Sequence, residues 1–144
     1  GLTLSPDQYI PFKEKFEAVV KKTIDKELLI PEIAIDSPLE LSDITPKFFR
    51  ILKQMGPFGP KNMKPVFTTN AVRDNGYGKR VGVDKSHLKL NIINGADQKT
   101  YNAIGFGLGD KITSTQNDFD IAYNLDENEW NGNTSIQLLI KDIK

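Results

Sequence analysis

From Pro65 to its end the chain is written in short β-branched and aromatic runs, separated by Asn-Gly pairs and glycines, a texture that suits sheets and not helices. Within VFTTNAVRDNGYGKRVGVDKSHLKLNIING, the pairs Asn75-Gly76 and Asn94-Gly95 are strong short hairpin signals. YNAIGFGLG reads as a further strand, broken by glycines. DFDIAYNL places Phe119, Ile121, Tyr123 and Leu125 on one face, because strand side chains alternate. SIQLLIKDI places Ile136, Leu138 and Ile140 inward, and Asn131-Gly132 supplies a hairpin turn between these last two strands. Five strand regions in about eighty residues predict a five-stranded barrel of the oligonucleotide/oligosaccharide-binding (OB) kind. That topology leaves room for a short helix around residues 109–112, between the third and fourth strands.

Upstream, helical and extended signals mix. Ser5-Pro6 is a helix-start device, and Phe12, Phe16, Val19, Val20 and Ile24 follow at helical spacing. Pro11 must then lie near the first turn. IPEIAIDSPLEL alternates at Ile33 and Ile35 and reads as a strand, with a turn at Ser37-Pro38. Thr45-Pro46 repeats the start device, Phe48, Phe49, Leu52 and Met55 give an apolar face, and Gly56 ends the helix. The predicted fold class is therefore α+β: an N-terminal helical/strand piece with a linker over residues 1–62, then a five-stranded OB-fold barrel over 63–144.

The stretch MGPFGPKNMKPVF joins the two parts. It is not a phosphate-cradling Walker loop, since Gly56 and Gly59 are too close together and no hydroxyl follows Lys61. Its prolines predict a stiff junction. Gly105-Phe106-Gly107-Leu108-Gly109 imitates a dinucleotide loop, but the third glycine comes one residue early and no βαβ unit surrounds it. ENEWNG imitates the start of a calcium loop, yet Leu138 stands where the bidentate glutamate should be. His87 is the single histidine and there is no cysteine, so disulfides and thiolate metal sites are excluded. No nucleophile–base pair stands out, and catalysis by these residues alone is not expected. No apolar run is long enough to span a membrane. The opening GLTLSPDQ lacks a starting methionine and an apolar leader, and reads as the interior of a longer chain.

Net charge is zero, but the balance is local. Residues 61–100 carry eight basic and three acidic groups, and residues 101–144 carry three basic and seven acidic. In GYGKRVGVDKSHLKL, Leu88 and Leu90 share one face, so His87 and Lys89 must occupy the other. Arg73, Lys79, Arg80 and Lys85 flank the same hairpin, with Tyr77 expected at its tip. Cations along a groove, with a ring for base stacking, are how OB folds hold single strands. The competing reading makes these residues a solvated hairpin whose lysines guard a sheet edge. His87 is then a surface strand histidine in place of a phosphate or base contact.

LKQMGPFGPKNMKPVF, VGVDKSHLKL, AIGFGLG and YNLDENEWNGNTSIQLLIKDI together, in this order, resemble the C-terminal part of the RecJ family of bacterial single-strand-specific DNA exonucleases. The resemblance covers essentially the whole chain. It implies that residues 1–62 are the end of a DHH-associated domain with its linker, and that residues 63–144 are the OB domain. The family's Gly-Gly-His signature would lie just upstream of GLTL. The family's junction motif is usually nearer PFGpGNpeP, so Lys61 and Met63 stand here in place of glycine and proline. The implied function is a single-stranded-DNA-binding module of a cytoplasmic 5′→3′ exonuclease in DNA repair and recombination. Its partners would be single-stranded DNA and the enzyme's own DHH and DHH-associated domains. Manganese or magnesium would sit in the DHH domain, and this chain would itself be inactive. The alternative is an architectural or partner-binding domain with no DNA contact.

Overall fold

The computed structural model describes residues 1–94 and 97–144. The chain divides into two units, Gly1–Glu32 and Ile33–Lys144. In the first, Ser5-Pro6 opens a 3-10 turn, Pro6–Gln8, and the α-helix α1 follows as Tyr9–Thr23. Pro11 thus falls in the first turn of α1, where its missing N–H leaves no helical bond unmade. The helix carries its own local contacts: Phe12 and Phe16 stack at 5.7 Å, and Lys21 meets Glu17 one turn earlier at 2.7 Å. It buries no residue.

In the second unit the predicted strand at Ile33 and Ile35 does not form. Both side chains are exposed, at 41% and 47%, and pairing begins only at Asp36, whose N–H donates to the Val66 carbonyl. The strand itself, β1, is Ser37–Pro38, where a turn was expected, and it runs parallel to β2, Phe67–Asp74. Alternation alone did not reveal that the ladder available to this segment is two residues long. Helix α2, Pro46–Gln54, starts as predicted: the Thr45 hydroxyl accepts the Phe48 N–H at 3.1 Å and Pro46 fills the first position. It buries Phe49 and Leu52, with Phe48 half-buried against Phe67, while Met55 lies past the last turn and is exposed. After it, Asn62 Nδ2 donates to the carbonyls of Met55 and Pro57 at 3.1 and 2.9 Å, and Gly59 and Asn62 exchange backbone bonds. Lys61 holds this tight loop at φ 70°, the left-handed region that favours glycine.

The remaining strands are β3 (Lys79–Val81), β4 (His87–Asn94), β5 (Asp97–Gly105), β6 (Phe119–Trp130) and β7 (Asn133–Ile143). Strands β2, β4, β5, β7 and β6 pair in that order, and β6 returns to β2, closing a five-stranded barrel. All contacts in the ring are antiparallel except β5–β7, which is parallel from Ala103↔Leu138 to Gly105↔Ile140. Strands β1 and β3 are additions at the edges, so the sheet has seven strands around the predicted five. Between the third and fourth barrel strands lies a 3-10 segment, Gly109–Gln116, at the expected place.

The barrel interior holds Val72, Leu88, Leu90, Ile92, Ile121, Tyr123, Leu125 and Leu138, all essentially inaccessible. Each such aliphatic side chain contributes roughly 1.5–3 kcal/mol by leaving water. Two tyrosines fasten the segment before α2. Tyr101 donates to the Leu41 carbonyl, while the hydroxyls of Tyr123 and Thr69 bond each other at 2.9 Å and Thr69 donates to the Leu39 carbonyl. Burial pushes the Tyr123 phenol up to about 12, so it stays a neutral donor.

Asn131-Gly132 makes the predicted turn between β6 and β7, with φ of 51° and 76° as a two-residue type I′ turn requires. Asn75-Gly76 does not make a hairpin. Strands β2 and β3 are not paired. The Asp74 carboxylate gathers the N–H groups of Gly76, Gly78 and Asn91 instead, and so folds the loop onto β4. The Asn94-Gly95 turn lies outside the described residues.

Candidate nucleic-acid interface

The short β3–β4 ladder decides where the basic segment points. Its register is Lys79↔Lys89, Arg80↔Leu88 and Val81↔His87. Residues directly opposite each other share a face. Leu88 is in the core, so Lys79, Lys89, Val81 and His87 share the outer face. Lys79 and Lys89 therefore present like charges side by side, an arrangement that costs up to about 1 kcal/mol unless an anion lies between them. Arg80 turns the other way, and its guanidinium reaches Asp110 at 3.7 Å. Arg73, on β2, is held by Asp118 through two nitrogens at 2.6 and 2.7 Å. Lys85 sits in the β3–β4 turn at φ 56°. Tyr77 is exposed but lies in the β2–β3 loop, so it is not at the hairpin tip.

The outer face of this hairpin is one wall of a groove of about 700 Å³. Val81, His87 and Lys89 continue into Asn102, Ile104 and Phe106 of β5 and the loop after it. The other wall is the β6–β7 arm. The β5–β7 ladder has three residue pairs, whereas β6–β7 pairing runs on to Trp130↔Asn133, so this arm continues past the closure. It presents Asn128, Trp130, Asn133, Ser135 and Gln137 to the groove. Phe106 and Trp130 are 63% and 72% exposed, two large rings in the lining of the groove that are offered to solvent.

Of the seven residues predicted from sequence, His87 and Lys89 line this groove and Lys79 adjoins it on the same face. Arg73, Arg80, Lys85 and Tyr77 do not line it. Sequence reasoning missed Phe106 and Trp130.

His87 has a defined ring state. The Gly107 N–H donates to its Nδ1 at 3.1 Å, and the Ser86 hydroxyl approaches the same nitrogen at 3.1 Å. A backbone N–H can only donate, so Nδ1 is the acceptor and the ring proton sits on Nε2. In the turn before it, Asp84 is held below the usual carboxylate range, mainly by the Ser86 hydroxyl and then by the Ser86 N–H.

A second groove of about 780 Å³ separates α2 from the β5 and β7 strands. Its rings, Phe49 and Tyr101, are buried in the core, and Lys53 is paired with Glu127 at 2.6 Å. It offers no exposed stacking surface of the kind Phe106 and Trp130 provide.

Among the described residues no three histidine, aspartate or glutamate side chains gather closely enough to hold a metal ion. No helix is long and apolar enough to cross a membrane.

A closed five-stranded barrel of order β2-β4-β5-β7-β6, with a 3-10 segment between its third and fourth strands and a groove across β4 and β5, is an OB fold. The family described as RecJ OB domain matches residues 35–142, and the chain belongs to it. The single-stranded-DNA-specific exonuclease RecJ of Bacillus subtilis is 28% identical over 145 residues, which cover 99% of this chain and 18% of that protein. The same-named protein of Escherichia coli is 27% identical over 147 residues, covering 99% and 24%. The crystal structure of RecJ from Thermus thermophilus in complex with Mg2+ superposes with a TM-score of 0.68 at 22% identity, over 99% of this chain and 21% of that one. The chain thus spans roughly a fifth to a quarter of the relatives it matches.

Proposed function

We propose that residues 63–144 are the single-stranded-DNA-binding barrel of a RecJ-like 5′→3′ exonuclease, and that residues 1–62 are the end of its DHH-associated domain with the linker. The observation that carries this reading is the β4–β5 groove, with Lys79 and Lys89 on one lip and the exposed rings of Phe106 and Trp130 in its lining. The lysines hold phosphates and the rings take bases, as OB grooves do. The module contributes grip and direction. Hydrolysis, with manganese or magnesium, belongs to a DHH domain outside these residues, in a cytoplasmic enzyme of DNA repair and recombination.

Binding of a labelled single-stranded oligonucleotide, followed by anisotropy at several salt concentrations, tests this. The expected result is salt-dependent binding that quenches Trp130, the single tryptophan. No binding at low salt, with the fold intact, would remove the reading. An architectural role is the second reading, and one observation favours it: Arg73 and Arg80 already spend their charge on Asp118 and Asp110 within the protein.

A further inference from the structure

The GFGLG motif and the lone histidine are explained by neither the barrel nor the charge of the groove. Gly105 is the last rung of β5, paired with Leu88 of β4. Gly107, at φ 74°, turns the chain and donates its N–H to His87 Nδ1. Gly109 donates to the Ser86 carbonyl at 2.8 Å, and a Cβ there would meet the Lys85 carbonyl oxygen at 2.5 Å. Both neighbours of Phe106 are thus fastened to consecutive residues of β4. The ring itself stands edge-on to the imidazole, with centroids 5.1 Å apart at 81°.

We infer that His87 is a positioning residue: its neutral imidazole accepts the Gly107 N–H and holds Phe106 as a stacking platform in the groove, and it is not itself a phosphate contact. This rests on the reading of the groove as a single-strand site. The physical reason is entropy. Without the latch Phe106 is followed by a glycine free to rotate, and every base that stacked on it would first have to order the loop. Protonation of the ring removes the acceptor and releases Gly107. The charged groups facing the ring are Asp84 from the preceding turn, Lys89 from its own strand and Lys79 across the ladder.

The two roles of His87 predict opposite signs. A phosphate contact would bind better when the ring gains charge, and a latch binds worse. The experiment uses the whole chain, a labelled single-stranded oligonucleotide and the variants His87→Ala, His87→Asn, Phe106→Ala and the double variant His87→Ala/Phe106→Ala. Asparagine places Oδ1 where Nδ1 stands and can still accept the Gly107 N–H. The expected results are a loss of about fivefold to a hundredfold for His87→Ala and for Phe106→Ala, with the salt slope unchanged. The double variant should be no weaker than Phe106→Ala alone, and His87→Asn should recover most of the loss. Adding a proton to the His87 ring should weaken binding by the parent chain and leave Phe106→Ala unaffected. Additive losses, a flatter salt slope in His87→Ala, or tighter binding on acidification would overturn the inference. Nitrogen NMR gives a readout without DNA: the neutral ring should carry its proton on Nε2, and the Gly107 amide should shift as the ring protonates. A proton on Nδ1 would end the latch whatever the DNA result. Absent binding with the expected tautomer would overturn the groove reading and leave the latch standing.

Discussion

Two parts of one basic segment put their cations to different uses. On the outer face of β3–β4, Lys79 and Lys89 stand opposite each other, and among the described residues neither has a carboxylate partner. On the flanks, Arg73 and Arg80 each have one, Asp118 at 2.6 Å and Asp110 at 3.7 Å. Counting charges along the sequence weighs all four alike. The potential a phosphate meets depends on which charges are already answered, and Lys79 and Lys89 are the unanswered pair on this face.

The sharpest way to break that comparison starts with the rings. Phe106→Ala or Trp130→Ala should each cost about 1–3 kcal/mol of single-strand affinity with the salt slope intact. Tyr77→Ala, equally exposed but outside the groove, should bind like the parent chain, and a loss at Tyr77 matching those two would move the site to the β2–β3 loop. Next come the cations. Lys79→Ala and Lys89→Ala should each flatten the slope of log affinity against log salt by about 0.7, as loss of one phosphate contact does. Arg73→Ala and Arg80→Ala should leave it unchanged, and four equal slopes would erase the distinction. The converse is Asp118→Asn, which frees Arg73. Binding should tighten slightly, while the melting free energy falls by no more than about 1 kcal/mol, since the pair is exposed. The smallest effect is expected from Lys61→Gly. It removes a charge outside the groove and relieves a left-handed backbone, so stability should rise by about 1 kcal/mol or less while binding and its slope stay put.

Sequence spacing carried the core well because burial imposes a strict rhythm. The alternation at Phe119, Ile121, Tyr123 and Leu125, and at Leu88 and Leu90, is the barrel interior, and Thr45-Pro46 and Asn131-Gly132 do locally what their chemistry dictates. Asn75-Gly76 misled because Asp74 competes for the same backbone, taking three N–H groups that a hairpin would have used differently. Ile33 and Ile35 misled because alternation records a possible strand without saying whether a neighbour exists to pair with it. The lining of the groove is half legible. Lys89 and His87 follow from the phase of β4, but the facing wall comes from β6 and β7, and the aspartates that neutralise Arg73 and Arg80 lie far along the chain. Contacts of that kind have no periodic trace in a sequence.

The parallel β5–β7 seam also sets an order in time. The β6–β7 hairpin can zip outward from Asn131-Gly132, each rung making the next one local. Ala103 and Leu138 have no turn between them to start from, and they meet only after a long loop has been brought round. Phe67 and Tyr123, paired across β2–β6, lie farther apart still along the chain, so both of these seams rest on loop closure where the hairpin does not. The groove opens directly beside the β5–β7 seam, so a single strand lying along it should slow hydrogen exchange at Ala103, Ile104 and Gly105.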